Sequence, residues 1–214
     1  MSSTSTDHRT PRRRTQAERT EESSRRLIEA AIDLILERGS RGTTLKEVGE
    51  RAGYSRGLAN YRFGSKEGLF LEVLLYSRRH WREQLERELG DQRGLDAILA
   101  ATDAFRRYLR CAPRHYQAMI MLWYDAVGHP SALNAKLAAH HSIQLRDVRG
   151  WVEQGIADGT IDAATDPAGF AASFYSCMFG TVYQWQLQPE LFDLDRMFEN
   201  YKFLVLRALT PDRN

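Results

Sequence analysis

Apolar residues in this chain recur at spacings of three and four, and no stretch alternates apolar with polar. An α-helix turns once every 3.6 residues, so this spacing lines one helical face; a strand needs a period of two. Leu27, Ala30, Ala31, Leu34 and Ile35 follow the helical rule. So do Phe70, Val73, Leu74, Trp81 and Leu85, and then Leu95, Ile98, Leu99, Thr102 and Phe105. Further helices are expected from about Arg114 to Val127, Ser131 to Ala157, Asp166 to Leu187 and Asp193 to Leu209. The expected fold is therefore all-α, with about nine helices.

Punctuation supports this reading. Gly39 and Gly90 are placed to stop helices, and Asp166-Pro167 pairs an N-cap with a proline at the first helical position. Residues 1–19 are rich in Ser, Thr and Arg without apolar periodicity, which predicts a disordered basic arm. Order is expected from near Thr20, an N-cap with Glu21 and Glu22 in the first turn. A small unit over 20–68 and a larger helical unit over 69–214 follow.

Composition narrows the setting. No apolar run approaches the roughly 20 residues of a membrane helix. The arginines near the N-terminus precede no apolar segment, unlike those of a secretory signal. The two cysteines, Cys111 and Cys177, are far apart and fit a reducing cytoplasm. Charge is uneven: residues 1–70 hold 14 Lys and Arg against 10 Asp and Glu, and the remainder holds 16 against 18. A basic first third on a slightly acidic body suits a nucleic-acid-binding head.

Within that basic third lies 43-TTLKEVGERAGYSRGLANYRFGSKEGLF-70. Thr44 and Glu47 have capping-box spacing, and Leu45, Val48 and Ala52 form a short apolar stripe. Gly53 permits a sharp turn, and Ser55 can cap a second short helix, which Gly64 ends. Gly53 to Gly57 also match G-x-S-x-G, a hydrolase nucleophile elbow. An elbow needs a strand before the serine, and a capped helix is expected there instead. Two short helices joined by a tight turn are a helix-turn-helix, whose second helix enters the major groove.

This run, preceded by the Leu27–Gly39 segment, resembles the DNA-binding domain of TetR-type bacterial transcriptional regulators over about Arg25 to Phe70. The resemblance implies a homodimer, an N-terminal DNA-binding domain and a larger domain with an effector pocket. It also implies transcriptional control, usually repression relieved by a small molecule. By that analogy Thr44 and Ser55 contact phosphates, although each has a capping role that would explain it. Arg56 can place two donors on a guanine or hold a phosphate. Gly57 would let the backbone approach the bases. Hydrophobicity alone buries Leu58; the family pattern instead buries Ala59 and turns Leu58 toward DNA, where it can touch a thymine methyl. Asn60 can pair with adenine or bind a phosphate. Tyr61 and Lys66 resemble the family's phosphate clamp. Arg62 stands where histidine is common and would add a permanent charge to salt-sensitive binding. Gly49 stands where alanine is usual, which suggests close packing against the second helix. Arg12, Arg13 and Arg14 would either enter a minor groove or remain solvated.

The larger unit offers no metal or catalytic motif and implies no cofactor. Its aromatic and flexible side chains, Phe105, Tyr108, Tyr116, Met119 and Trp123, could line a largely apolar effector cavity. Tyr124, Trp151, Phe174 and Met178 join this candidate set, and core packing is the competing explanation for each. The last two helices are apolar over more than one stripe, as an interface between two subunits requires. The expected partners are thus a palindromic double-stranded DNA operator, an unidentified effector and a second copy of the chain. A helical hydrolase, or a protein sequestering small molecules in the same cavity, is the competing reading.

Overall fold

The computed structural model describes residues 15–127 and 130–211. Among these, nine helices and no strands are present. The arginines at positions 12 to 14 lie outside the described residues.

The first helix, α1 (Gln16–Arg38), begins earlier than its apolar stripe predicts. Thr15, rather than Thr20, is the N-cap, and it forms a reciprocal capping box with Glu18. The Thr15 side chain accepts from the Glu18 N–H at 3.2 Å, and the Glu18 carboxylate accepts from the Thr15 N–H at 2.7 Å. Two free donors of the helix end are thereby satisfied, which extends the helix through a first turn with no large apolar side chain.

Two short helices, α2 (Leu45–Arg51) and α3 (Arg56–Phe63), complete the head with the start of α4 (Lys66–Leu89). Leu27, Ala31, Leu34 and Ile35 of α1 are buried with Val48, Ala59, Leu69 and Val73. One residue of each short helix therefore anchors it in this core, while α4 continues out of the head into the body.

The body contains α5 (Gly94–Cys111), α6 (Pro113–Ala126), α7 (Ala132–Asp158), α8 (Pro167–Leu187) and α9 (Leu194–Leu209). Helix α5 packs against α4, α7 and α9, and α7 against α8. Phe198, Leu109, Leu122 and Val152 are fully buried here. The backbone N–H of Asp162 donates to the Leu209 carbonyl at 2.8 Å, tying the α7–α8 connection to the end of α9.

Head and body meet along α1 and α6. Glu29 accepts from the Tyr76 hydroxyl at 3.0 Å and lies 3.1 Å from Nε2 of His115. Asp33 pairs with Arg114, and the Ser40 hydroxyl donates to Asp125. At the start of α7, the Leu133 N–H donates to Glu67 on α4 at 3.0 Å.

Candidate nucleic-acid interface and internal cavity

The turn between α2 and α3 fixes the orientation of the exposed helix. Gly53 has φ 78°, a left-handed conformation that favours glycine. The Tyr54 N–H donates back to the Gly49 carbonyl at 2.8 Å. A Cβ at Gly49 would lie 2.9 Å from the Ser55 carbonyl oxygen, so α2 and the start of α3 approach more closely than alanine permits without a shift. Ala59 is completely buried beneath them.

These contacts leave an outward edge. Ser55 caps α3 by accepting from the Leu58 N–H at 3.2 Å, and the first turn holds no acidic side chain. That end can accommodate a phosphate. Arg56, Gly57, Asn60 and Tyr61 are exposed, with Tyr61 at 83%. The side chains of Arg56, Asn60 and Tyr61 make no hydrogen bond or ion pair among the described residues. Leu58 is divided: half-buried, it packs on the core with one side and presents the other to solvent. Ser55 follows a helix and turn, so the G-x-S-x-G stretch is the bend of a helix pair rather than an elbow.

Three expected contacts have internal partners. Thr44 caps α2, accepting from the Glu47 N–H at 3.3 Å and donating to the Glu47 carboxylate at 2.8 Å. That hydroxyl, with Arg38 at 2.8 Å, holds the Glu47 carboxyl below its ordinary pKa. Lys66 donates to the Arg41 carbonyl at 3.0 Å and lies over the Phe70 ring. Arg62 departs from the expectation of an outward charge: it turns toward α1, with Nη2 3.4 Å from the Ser23 hydroxyl and Nε buried without a partner. Much of its charge therefore faces the α1–α3 seam. Arg51 is likewise tied to Glu37, through two contacts of 2.6 and 2.7 Å.

A cavity of about 740 Å³ opens between α4, α5, α6, α7 and α8. Phe105, Tyr108, Tyr116, Met119, Trp123, Trp151, Phe174 and Met178 all belong to its wall. Tyr124 does not; it is 61% exposed, because the helical turn that points Trp123 inward points its neighbour out. Rings meet edge to face around the wall, Trp81 with Phe105 at 5.5 Å and Trp123 with Phe179 at 4.9 Å.

The wall is less apolar than the sequence alone suggests. His140, Gln144, Asp147 and Trp151 line it from one stripe of α7, spaced four, three and four residues apart. Arg78 and Trp81 line it from α4. This polar-aromatic periodicity on α7 is a readable signal that attention to apolar residues alone passes over. Burial, then the Arg78 charge and His141, hold the His140 pKa down at about 4. Burial drives the Tyr108, Tyr116 and Tyr175 hydroxyls well above their ordinary range, so all three stay protonated.

Comparisons with known proteins fit this geometry. Residues 27–73 match the family model for bacterial regulatory proteins of the tetR family. The HTH-type transcriptional regulator SrpR of Pseudomonas putida is 24% identical over 174 residues, covering 80% of this chain and 78% of SrpR. A TetR transcriptional regulator from Chloroflexus aurantiacus shares the fold with a TM-score of 0.77 at 21% identity, over 90% of this chain and 98% of that one. SmeT, the repressor of the Stenotrophomonas maltophilia multidrug efflux pump SmeDEF, has a TM-score of 0.72 at 22% identity, over 89% of this chain and 93% of that one. SmeT has also been solved as a complex with triclosan.

Proposed function

The chain is a helix-turn-helix transcriptional regulator of the tetR family, and we propose that it binds a palindromic operator as a homodimer and is released by a small-molecule effector. The observation that carries this reading is the α3 edge: Arg56, Asn60 and Tyr61 are exposed and unpartnered on a helix clamped at Gly49 and Ala59. Arg56 and Asn60 reach base edges, while Ser55, Tyr61 and the free end of α3 hold phosphates. Thr44 and Lys66 bind phosphate only by sharing or leaving their present partners. Two such helices sit about 34–36 Å apart in successive major grooves.

The second subunit docks on α8 and α9. Tyr183 and Leu187 on α8, Leu191 in the connection, and Phe203 and Leu204 on α9 are each more than half exposed, an apolar surface that favours a partner. The cavity is the effector site, and the triclosan complex of the similarly folded SmeT lends support. An effector acts by binding more tightly to a conformer with the wrong spacing between the heads. Helix α4 spans both regions, and α6 carries Met119 and Trp123 on the cavity wall as well as His115 and Arg114 at α1. Repression is the direction this scheme produces, and the cytoplasm is where the operator lies. No helix among the described residues is long and apolar enough to cross a membrane.

The test is anisotropy titration on DNA from the protein's own upstream region, with Arg56→Ala and Tyr61→Ala separately and together. Neither side chain has an internal partner, so folding should survive. Each loss should weaken binding by about 1–3 kcal/mol, and log Kd should depend steeply on log salt. Wild-type affinity in the double variant would remove the interface from α3.

A further inference from the structure

We propose that the cavity takes a ring-bearing monoanion, an apolar body with one carboxylate- or sulfonate-like head, and that Arg78 holds the head. This rests on the reading of the cavity as the effector site.

The charges on the wall set the sign. Arg78, Arg82, Arg146, Glu86 and Asp147 contribute to it. Arg82 and Glu86 neutralise each other at 2.7 Å, which leaves two cations against one carboxylate. Arg146 and Asp147 are exposed at the mouth, whereas Arg78 is half-buried. Arg78 nevertheless has no hydrogen bond or ion pair among the described residues. A partly desolvated guanidinium ordinarily finds an anion, because its five donors and its charge are costly to leave unmatched.

The uncharged groups favour the same ligand. The Trp123 indole can only donate, and its Nε1 is buried without a partner. Nδ1 of His140 is buried without one too. The Tyr116 and Tyr175 hydroxyls make no hydrogen bond among the described residues. The indole donates only, the two hydroxyls and the neutral imidazole can each turn a proton toward a ligand, and the unpartnered Gln144 Oε1 and the Asp147 carboxylate accept only. A carboxylate or sulfonate accepts and does not donate, so it complements this surplus. A cation would face Arg78 at close range, and a neutral ligand would leave the guanidinium only the exposed Asp147 carboxylate to offset it. Asp147 on the same wall disfavours a second negative charge. The rings of Trp81, Phe105 and Trp151 provide the apolar enclosure for the body.

Two dyes with the same rings separate the head from the body: 1-anilinonaphthalene-8-sulfonate and the uncharged N-phenyl-1-naphthylamine. Energy transfer is read in a Trp185→Phe background, where the three remaining tryptophans, Trp81, Trp123 and Trp151, all line the cavity. The sulfonate dye should bind the wild type more tightly than the neutral one. Arg78→Gln should weaken the sulfonate dye at least about tenfold and leave the neutral dye within about twofold. Arg78→Lys should retain part of the preference. Arg149→Gln removes the same charge from α7 outside the wall and should change neither dye. Equal weakening of both dyes by Arg78→Gln, no weakening of the sulfonate dye, or tighter wild-type binding of the neutral dye overturns the proposal while the cavity remains a ligand site. Transfer to neither dye overturns the effector reading itself.

Discussion

The carboxylate of Glu29 on α1 lies 3.1 Å from Nε2 of His115 on α6 and accepts the Tyr76 hydroxyl of α4 at 3.0 Å. One side chain of the head thus holds two helices of the body. Rings of Tyr76, His80 and His115 meet at tilted and edge-to-face angles around it, 4.5 to 5.4 Å apart. Glu29→Ala would leave the Tyr76 hydroxyl and the His115 ring without their acceptor in a half-buried site. We predict a loss of about 1–3 kcal/mol in urea unfolding, with Glu29→Gln losing less because its amide oxygen still accepts. An unchanged unfolding midpoint in both variants would show that this contact does not bind head to body.

Stability should fall on mild acidification. Burial holds His115 below its ordinary pKa, partly opposed by Glu29, and holds His140 at about 4. The folded chain keeps both rings neutral, whereas the unfolded chain takes up protons as pH falls through about 6.5. Their contribution is therefore fully present above pH about 6.5 and declines as pH drops toward the folded values. Melting temperature measured from pH 7.5 to 5 should decrease, and His140→Gln should flatten the slope. A variant with the wild-type slope would assign the acid sensitivity to other groups.

Helices were legible wherever an apolar stripe marked them, because periodicity registers burial directly. The first turn of α1 carries no stripe, so its start was legible only in the capping spacing of Thr15 and Glu18, which a polar sequence like that of the arm surrounds. The burial of Ala59 beneath the α2–α3 turn followed from a family pattern, since hydrophobicity alone favoured Leu58. Arg62 shows the opposite limit. Its choice between solvent and Ser23 depends on how α1 crosses α3, a tertiary fact that no local spacing encodes. The cavity wall was half legible: its aromatic residues stood out, but His140 and Gln144 look like any solvated helix face until α8 and α4 cover them.

Gly57 separates folding from recognition. A Cβ there would meet only the Ser55 hydroxyl, at 3.6 Å, an ordinary contact. The fold gives no steric reason for glycine, and alanine should stabilise α3 by up to about 1 kcal/mol. If the backbone approaches the bases, Gly57→Ala should still weaken operator binding about tenfold, as an added methyl does in a packed contact. Calorimetric melting and anisotropy on the same sample would check both halves; wild-type affinity would place this backbone away from the duplex.

The α8–α9 surface predicts a monomerising substitution. Phe203 is 58% exposed, on the side of α9 opposite buried Tyr201 and Val205, and Leu204, 52% exposed, flanks that buried face. Phe203→Glu would place a charge in the proposed subunit contact on the side of α9 that faces away from its own core. Light scattering after gel filtration should report half the mass, and operator affinity should fall about 100-fold or more as the two half-sites lose their linkage. A variant that elutes as the wild type does would move the interface elsewhere.

Gly150 offers a way to close the cavity from within. It belongs to the wall, and a Cβ built on it meets nothing within 4 Å. Leucine there would extend into space a ligand needs, while removing a glycine from the middle of α7 should add up to about 1 kcal/mol of helix stability. Position 150 lies on the body and α3 on the head, so operator affinity without effector should stay within about twofold, as expected for sites sharing no contacts. Gly150→Leu should thus melt higher, bind DNA normally and take up N-phenyl-1-naphthylamine at least about tenfold more weakly, the scale of overpacking a contact. If the dye still binds with wild-type affinity, it sits elsewhere, and the enclosed space between α4 and α8 is not where small molecules act on this chain.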